Sequence, residues 1–239
     1  MSFQNELRNL ATLFPADSLV YVSAGGFDPS GMLQDLPAAS AVIVTAAPED
    51  IAEEELDAPV GAQRVHAVVA DRPCNITWYS LSLSQESGLV SPDALKPYWR
   101  NIQLKAEVER PATTLDALAE GGRLPQASWL VVDMLAAGKV LAGGRRMLDS
   151  ADVVIAKCLL QADGSVPELS GAEDIVAALS PRGFSAVARR PGRNAAVGHL
   201  VFVRDWKRAM AARLEEVERI SQEAARALEA KHDILLDQL

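Results

Sequence analysis

The stretch from Leu19 to Asp57 constrains the fold of this chain more than any other. An apolar run, LVYV, breaks into a turn of small residues, SAGGFDPSG, and a second apolar run, AVIVTAAP, follows about one helix later. A strand that ends in a glycine-rich turn is how parallel α/β proteins bring backbone N–H groups close to a nucleotide or one of its relatives. What is missing is equally informative. Neither strand ends in the carboxylate that nucleotide-binding folds place there to hold a ribose.

The rest of the chain continues the same alternation. FQNELRNLATLF carries Leu7, Leu10, Leu13 and Phe14 at the spacing of a short amphipathic helix. Strands are expected at Leu19–Val22, Ala41–Val44 and Val65–Val69, and the alternating ITWYSLSL predicts a half-exposed strand over Ile76–Leu83. Thr113 or Thr114 caps a helix over TLDALAEGG, with Asp116 in its first turn, near the positive end of the dipole. WLVVD, Trp129–Asp133, is an apolar run ending in acid, as a buried parallel strand does when it reaches a site at the sheet edge. AAGKVLAGGRRML reads as a helix and DVVIAKCLL as a further buried strand. A helix at Ile175–Leu179 ends at Pro181 and Gly183, and FSAVARR and AVGHLVFVRD flank PGRN as a β-hairpin. Such an order describes a mostly parallel sheet covered on both faces.

Composition narrows the function classes. The 239 residues suffice for one domain of ordinary size and an appendage, and a formal net charge of -9 argues against a nucleic-acid partner. Acid gathers at Glu49, Asp50, Glu53, Glu54, Glu55 and Asp57, the pattern of a solvated helix face; the basic knot Arg189, Arg190 and Arg193 reads as a solvated hairpin turn. Cys74 and Cys158 are far apart and have no metal-ligand spacing, and His66 and His199 lie in strand-like runs as hydrogen-bonded structural histidines. With neither a leader nor a membrane-spanning run in view, no membrane partner, no metal and a reducing cytoplasmic setting are expected.

From Trp206 the character changes. The segment contains neither glycine nor proline, and Met210, Leu214, Val217, Ser221, Ala224, Leu228 and Leu235 form a seam at three- and four-residue intervals, interrupted by Lys231. The expected organisation is an α/β domain over residues 1–206 and a helical extension over 207–239. The thin stripe packs on its own domain, or a second copy or another protein covers it.

The order of elements, closing in a hairpin, is similar to the class I S-adenosylmethionine-dependent methyltransferase fold. More narrowly, the chain resembles the FkbM family of methyltransferases through LVYVSAGG, AVIVTAAPED, VHAVVADRP, TTLDAL and WLVVDMLAAGKVLAGG, then DVVIAKCLL and LSPRGF, over residues 17 to 205. The resemblance implies a Rossmann-like, mostly parallel seven-stranded sheet closed by an antiparallel hairpin, with S-adenosylmethionine as the cofactor. It assigns cofactor contacts to the turn Ser23, Ala24, Gly25 and Gly26, to Thr45 at the end of the second strand, and to Asp71, which would face an adenine. Asp133 would stand where the methyl acceptor sits, as the catalytic residue.

Several positions depart from that pattern. Tyr21 replaces the aspartate of the family's first strand, Ser23 the first glycine of its turn, and Thr45 the acid that grips the ribose hydroxyls. A carboxylate accepts two charge-assisted hydrogen bonds from a diol and a threonine hydroxyl does not, a loss of about 1.5–3 kcal/mol. Around Asp133 the usual lysine, acidic and glycine positions are Val131, Leu135 and Ala136, and Lys157 stands where the family tends to be acidic. Taken alone, Lys157 reads as a sheet-edge lysine reaching solvent and Asp71 as a turn residue before Arg72-Pro73. Three functions follow. The departures favour a pseudo-methyltransferase, a retained fold serving as a structural or regulatory partner through its terminal helix. The family favours an active O-methyltransferase acting on a hydroxyl of a sugar or secondary metabolite. The third is a module that binds another small molecule in the old cleft.

Overall fold

The computed structural model describes residues 3–24, 38–46, 62–161 and 169–205, and within the terminal segment residues 207, 210, 211, 214, 215 and 217–226. In chain order the elements are α1 (Phe3–Leu13), β1 (Ser18–Ser23), β2 (Ser40–Thr45), β3 (Gln63–His66), β4 (Val68–Val69), β5 (Cys74–Leu81), α2 (Pro92–Leu95), β6 (Leu104–Thr113) and α3 (Leu115–Glu120). They continue with β7 (Trp129–Asp133), α4 (Ala137–Ala142), α5 (Arg145–Ser150), β8 (Val153–Leu159), α6 (Ala172–Leu179), β9 (Phe184–Pro191) and β10 (Val197–Arg204).

Seven strands form the main sheet in the order β3-β2-β1-β7-β8-β10-β9. All run parallel except β10, which lies antiparallel to both β8 and β9. This is the mostly parallel sheet closed by an antiparallel hairpin that the sequence predicts. Alternation along each strand divides the apolar residues between two faces. Val20, Val22, Leu130, Val132, Val154 and Ala156 belong to the large core cluster. Leu19, Tyr21, Trp129, Val131, Ile155 and Val201 are buried on the opposite face. The indole of Trp129 donates to the Phe14 carbonyl at 2.9 Å, which ties the end of α1 to β7. Cys158 sits in the middle of the sheet, fully buried opposite Gly198, and burial pushes its thiol up to about 12; Cys74, at the start of β5, is half-buried.

Three local departures from the sequence expectation have physical causes. The single strand expected at Val65–Val69 is two: Ala67 N still bonds the Thr45 carbonyl at 2.9 Å, after which Val68 and Val69 pair with Ala112 and Thr113 of β6. The chain thus switches into a second, three-stranded sheet of order β4-β6-β5. Its long strand β6 carries no strand signal, because most of its residues face solvent and its sequence, LKAEVERPAT, is charged accordingly. The helix expected over AAGKVLAGGRRML is broken into α4 and α5 at Gly143 and Gly144. A Cβ on Gly143 would lie 2.2 Å from the Ala70 carbonyl oxygen, so the break lets two backbones touch. Asp116 then caps α5 rather than only serving its own helix: the Arg146 and Met147 N–H groups donate to its carboxylate at 3.0 and 3.1 Å. Thr114, not Thr113, caps α3, accepting from Ala117 N at 3.0 Å.

Residues 1–204 form one compact unit and 205–239 another. The described residues of the second are helical over 217–226, and Met210, Leu214, Val217 and Ile220 are exposed. Leu228, Lys231 and Leu235 of the expected seam lie outside the described residues, as does the acidic run at 49–57. Among the described residues no helix is long and apolar enough to cross a membrane.

Candidate functional site

Parallel strands end together, so their last residues share one edge of the sheet. Ser23 of β1 is in register with Thr45 of β2 on one side and Asp133 of β7 on the other. Val132 is in register with Ala156, which places Lys157 one rung further along beside Asp133, and Lys157 is itself opposite His199 of β10. Tyr21 precedes Ser23 by two residues and shares its face of the sheet. The register alone therefore brings Tyr21, Asp133, Lys157 and His199 to one place.

Their side chains form a closed polar network. The Tyr21 hydroxyl donates to Asp133 Oδ2 at 2.6 Å, and His199 Nε2 lies 3.0 Å from Asp133 Oδ1. Lys157 Nζ stands 3.9 Å from that same Oδ1 and donates to Glu86 Oε1 at 3.0 Å. Glu86 arrives from outside the main sheet, in a 3-10 turn (Ser84–Glu86) that follows β5. All but His199 are buried: Tyr21 is 0% exposed, Glu86 7%, and Asp133 and Lys157 8% each.

The two carboxylates are driven in opposite directions. Burial pushes Asp133 up, but the hydrogen bond and charge of His199, the charge of Lys157 and the Tyr21 hydroxyl outweigh it, and its carboxyl is held well below the usual range. Burial raises Glu86 above its ordinary 4.5, and there the attraction of Lys157 does not compensate. One oxygen of the set stands apart. Glu86 Oε2 is buried with no hydrogen-bond partner among the described residues.

A cavity of about 290 Å³ opens on this network. Glu86, Asp133, Lys157 and His199 make its polar floor, and Trp99 and Arg193 stand nearer solvent. Asn194 holds the β9–β10 turn over it, donating to the Tyr98 carbonyl at 2.9 Å while its own Oδ1 accepts from Ala196 N at 3.0 Å. The neighbouring Arg190 leaves that turn to pair with Glu6 of α1. Among the described residues no group of three His, Cys, Asp or Glu side chains is arranged to hold a metal ion.

The sequence-derived residues divide. Asp133 is the centre of the network. Ser23, Ala24 and Thr45 lie at the same sheet edge, buried, and Thr45 Oγ1 has no hydrogen-bond partner among the described residues. Asp71 is exposed, in a bend between β4 and β5, and is not gathered with the others. Gly25 and Gly26 lie outside the described residues. Lys157, expected to reach solvent, is instead buried and paired. His199 is hydrogen-bonded, as a structural histidine is, yet its partner is the site's central carboxylate. Glu86 carried no sequence signal beyond an acid set among apolar Leu83, Leu89 and Val90.

No family model and no curated protein matches the chain. Among solved structures it is similar to the O-methyltransferase from Bacillus cereus in complex with S-adenosylhomocysteine, at 12% identity and TM-score 0.44, covering 85% of this chain and 82% of that one. It is similar also to a protein of the NADB-Rossmann superfamily from Streptococcus agalactiae, at 11% identity and TM-score 0.43, over 85% of this chain and 68% of that one. Magnesium protoporphyrin IX methyltransferase from Synechocystis, with S-adenosylmethionine bound, shares 14% identity at TM-score 0.38, over 84% and 78%. The fold assignment rests on the strand order and register, not on these likenesses.

Proposed function

We propose that this chain is a methyltransferase-fold protein that has given up S-adenosylmethionine and serves as a structural or regulatory partner, a pseudo-methyltransferase. One observation carries the reading: the Tyr21 hydroxyl is committed to Asp133 at 2.6 Å, with His199 on the other oxygen. The aspartate at the acceptor edge thereby accepts on both oxygens and is held strongly acidic, the reverse of what a base needs. The residue that replaces the first-strand acid supplies one of those bonds. At the end of β2 the ribose would find one buried hydroxyl, Thr45 Oγ1, where a diol needs a two-oxygen acceptor. These residues do not fit the adenosyl group, and no chemical step is assigned to it.

Calorimetric titration with S-adenosylmethionine and S-adenosylhomocysteine tests the reading. No heat, and no shift in Tm with either ligand at about millimolar concentration, is expected. Binding at about micromolar Kd overturns it and restores the reading of an active O-methyltransferase. The partner role rests on the terminal helix, whose Leu214 and Val217 are 60% and 51% exposed on one stripe. Within this proposal a second copy of the chain covers that stripe. Leu214→Glu with Val217→Glu is then expected to convert a dimer into a monomer in light scattering, and an unchanged mass removes the helix from the proposal.

A further inference from the structure

We propose that the cavity under the β9–β10 turn binds a small hydroxylated acid, with a ligand hydroxyl at the Glu86–Lys157 pair and the ligand's acid group at Arg193. The floor of the cavity selects the first group. Glu86 lines the cavity, and its buried Oε2 has no partner among the described residues, a condition that costs free energy until something donates to that carboxylate. Lys157 gives one of its three N–H donors to Glu86 Oε1 and has others to offer beside it. An amine at this point would satisfy Glu86 and meet the Lys157 ammonium as a like charge. A carboxylate would satisfy Lys157 and meet Glu86 in the same way. A hydroxyl donates to one and accepts from the other, and brings no charge to oppose either.

The mouth selects the second group. Of the charged residues that line the cavity Arg193 is the exposed one, and it makes the entrance cationic. Its guanidinium presents a fork that matches a carboxylate. Trp99, half-buried on the wall, supplies a flat apolar surface for the body of the ligand. About 290 Å³ admits a molecule of one ring with substituents and little more. The ligand contacts lie on Glu86, Lys157, Trp99 and Arg193, outside the β1–β2 edge, so the site stands whether or not S-adenosylmethionine binds.

Three ring compounds test it on the full chain. Quinate carries both hydroxyls and an acid, cyclohexanecarboxylate the acid alone and myo-inositol the hydroxyls alone. Titration followed by calorimetry is expected to give quinate a Kd of about millimolar or below, with the two single-feature compounds at least about tenfold weaker. Arg193→Ala, at an exposed turn, should leave Tm unchanged and bring quinate to the level of inositol. Glu86→Gln should weaken quinate and inositol together and leave cyclohexanecarboxylate where it was; if that variant does not fold, Arg193→Ala decides alone. Quinate binding no more tightly than either control, no binding at about 10 mM, or quinate affinity unmoved by Arg193→Ala overturns the proposal.

Discussion

The carboxyl edge of the main sheet has two halves of opposite character. On the β1–β2 side the side chains in register are Ser23 and Thr45, small and buried, with a hydroxyl that finds no partner among the described residues. On the β7–β8–β10 side Asp133, Lys157 and His199 sit in register, joined by Tyr21 from β1 and Glu86 from the second sheet. A fold that grips a nucleoside needs its acids on the first half; among the described residues they are concentrated on the second. One strand order thus carries two unlike edges, as expected when function resides in the residues at an edge and not in the fold beneath them.

The largest test of that contrast is Lys157→Met. It leaves Glu86 buried without its cation and removes one of the charges holding Asp133, and it should cost about 3–5 kcal/mol in urea unfolding. Adding Glu86→Gln to the same chain should recover much of the loss, because the uncompensated charge goes too; failure to recover would mean that Lys157 acts mainly through Asp133. Tyr21→Phe comes next, at about 1.5–3 kcal/mol for a hydrogen bond to a charged acceptor. Its pH signature has a definite sign. Asp133 is held below its ordinary 3.8, so its contribution is fully present above that value and is lost as pH falls beneath it. Without the Tyr21 hydroxyl the acid-unfolding midpoint should move to higher pH. Glu86, raised above 4.5, works the other way, its contribution to stability falling as pH rises from that value towards the folded-state one. The smallest effect belongs to the other half. Thr45→Val removes a hydroxyl that has no partner among the described residues, and should be neutral or stabilising by up to about 1 kcal/mol in the same assay. A clear loss there would show that Thr45 is bonded and that the two halves are less unlike than they look.

The sequence carried the main sheet because periodicity and punctuation are local. LVYV, AVIV, WLVV and VVIA are apolar runs, as strands buried on both faces must be, and PGRN marks the closing hairpin. It did not carry β6, whose exposed face is as charged as any loop, or the break at Gly143, which exists because the Ala70 backbone passes against it. The site was visible in fragments. Tyr21, Asp133 and Lys157 each stood out as a departure or a survivor of a pattern, but what joins them is register between strands far apart in sequence. Glu86 was out of reach altogether, since its role depends on a turn after β5 that meets Lys157, 71 residues further along the chain.

Cys158 follows Lys157 on β8, and its consequence is experimental. Only the thiolate reacts with an alkylating reagent, and a fully buried thiol raised to about 12 has almost none at neutral pH. It becomes reactive only when β8 and β10 separate, the same event that dismantles the site edge. Cys74, half-buried in the other sheet, answers to a different opening. The unaltered chain therefore holds two chemical clocks, one in each sheet, and the ratio of their labelling rates would show whether a molecule in the cavity steadies the main-sheet edge, the second sheet or both.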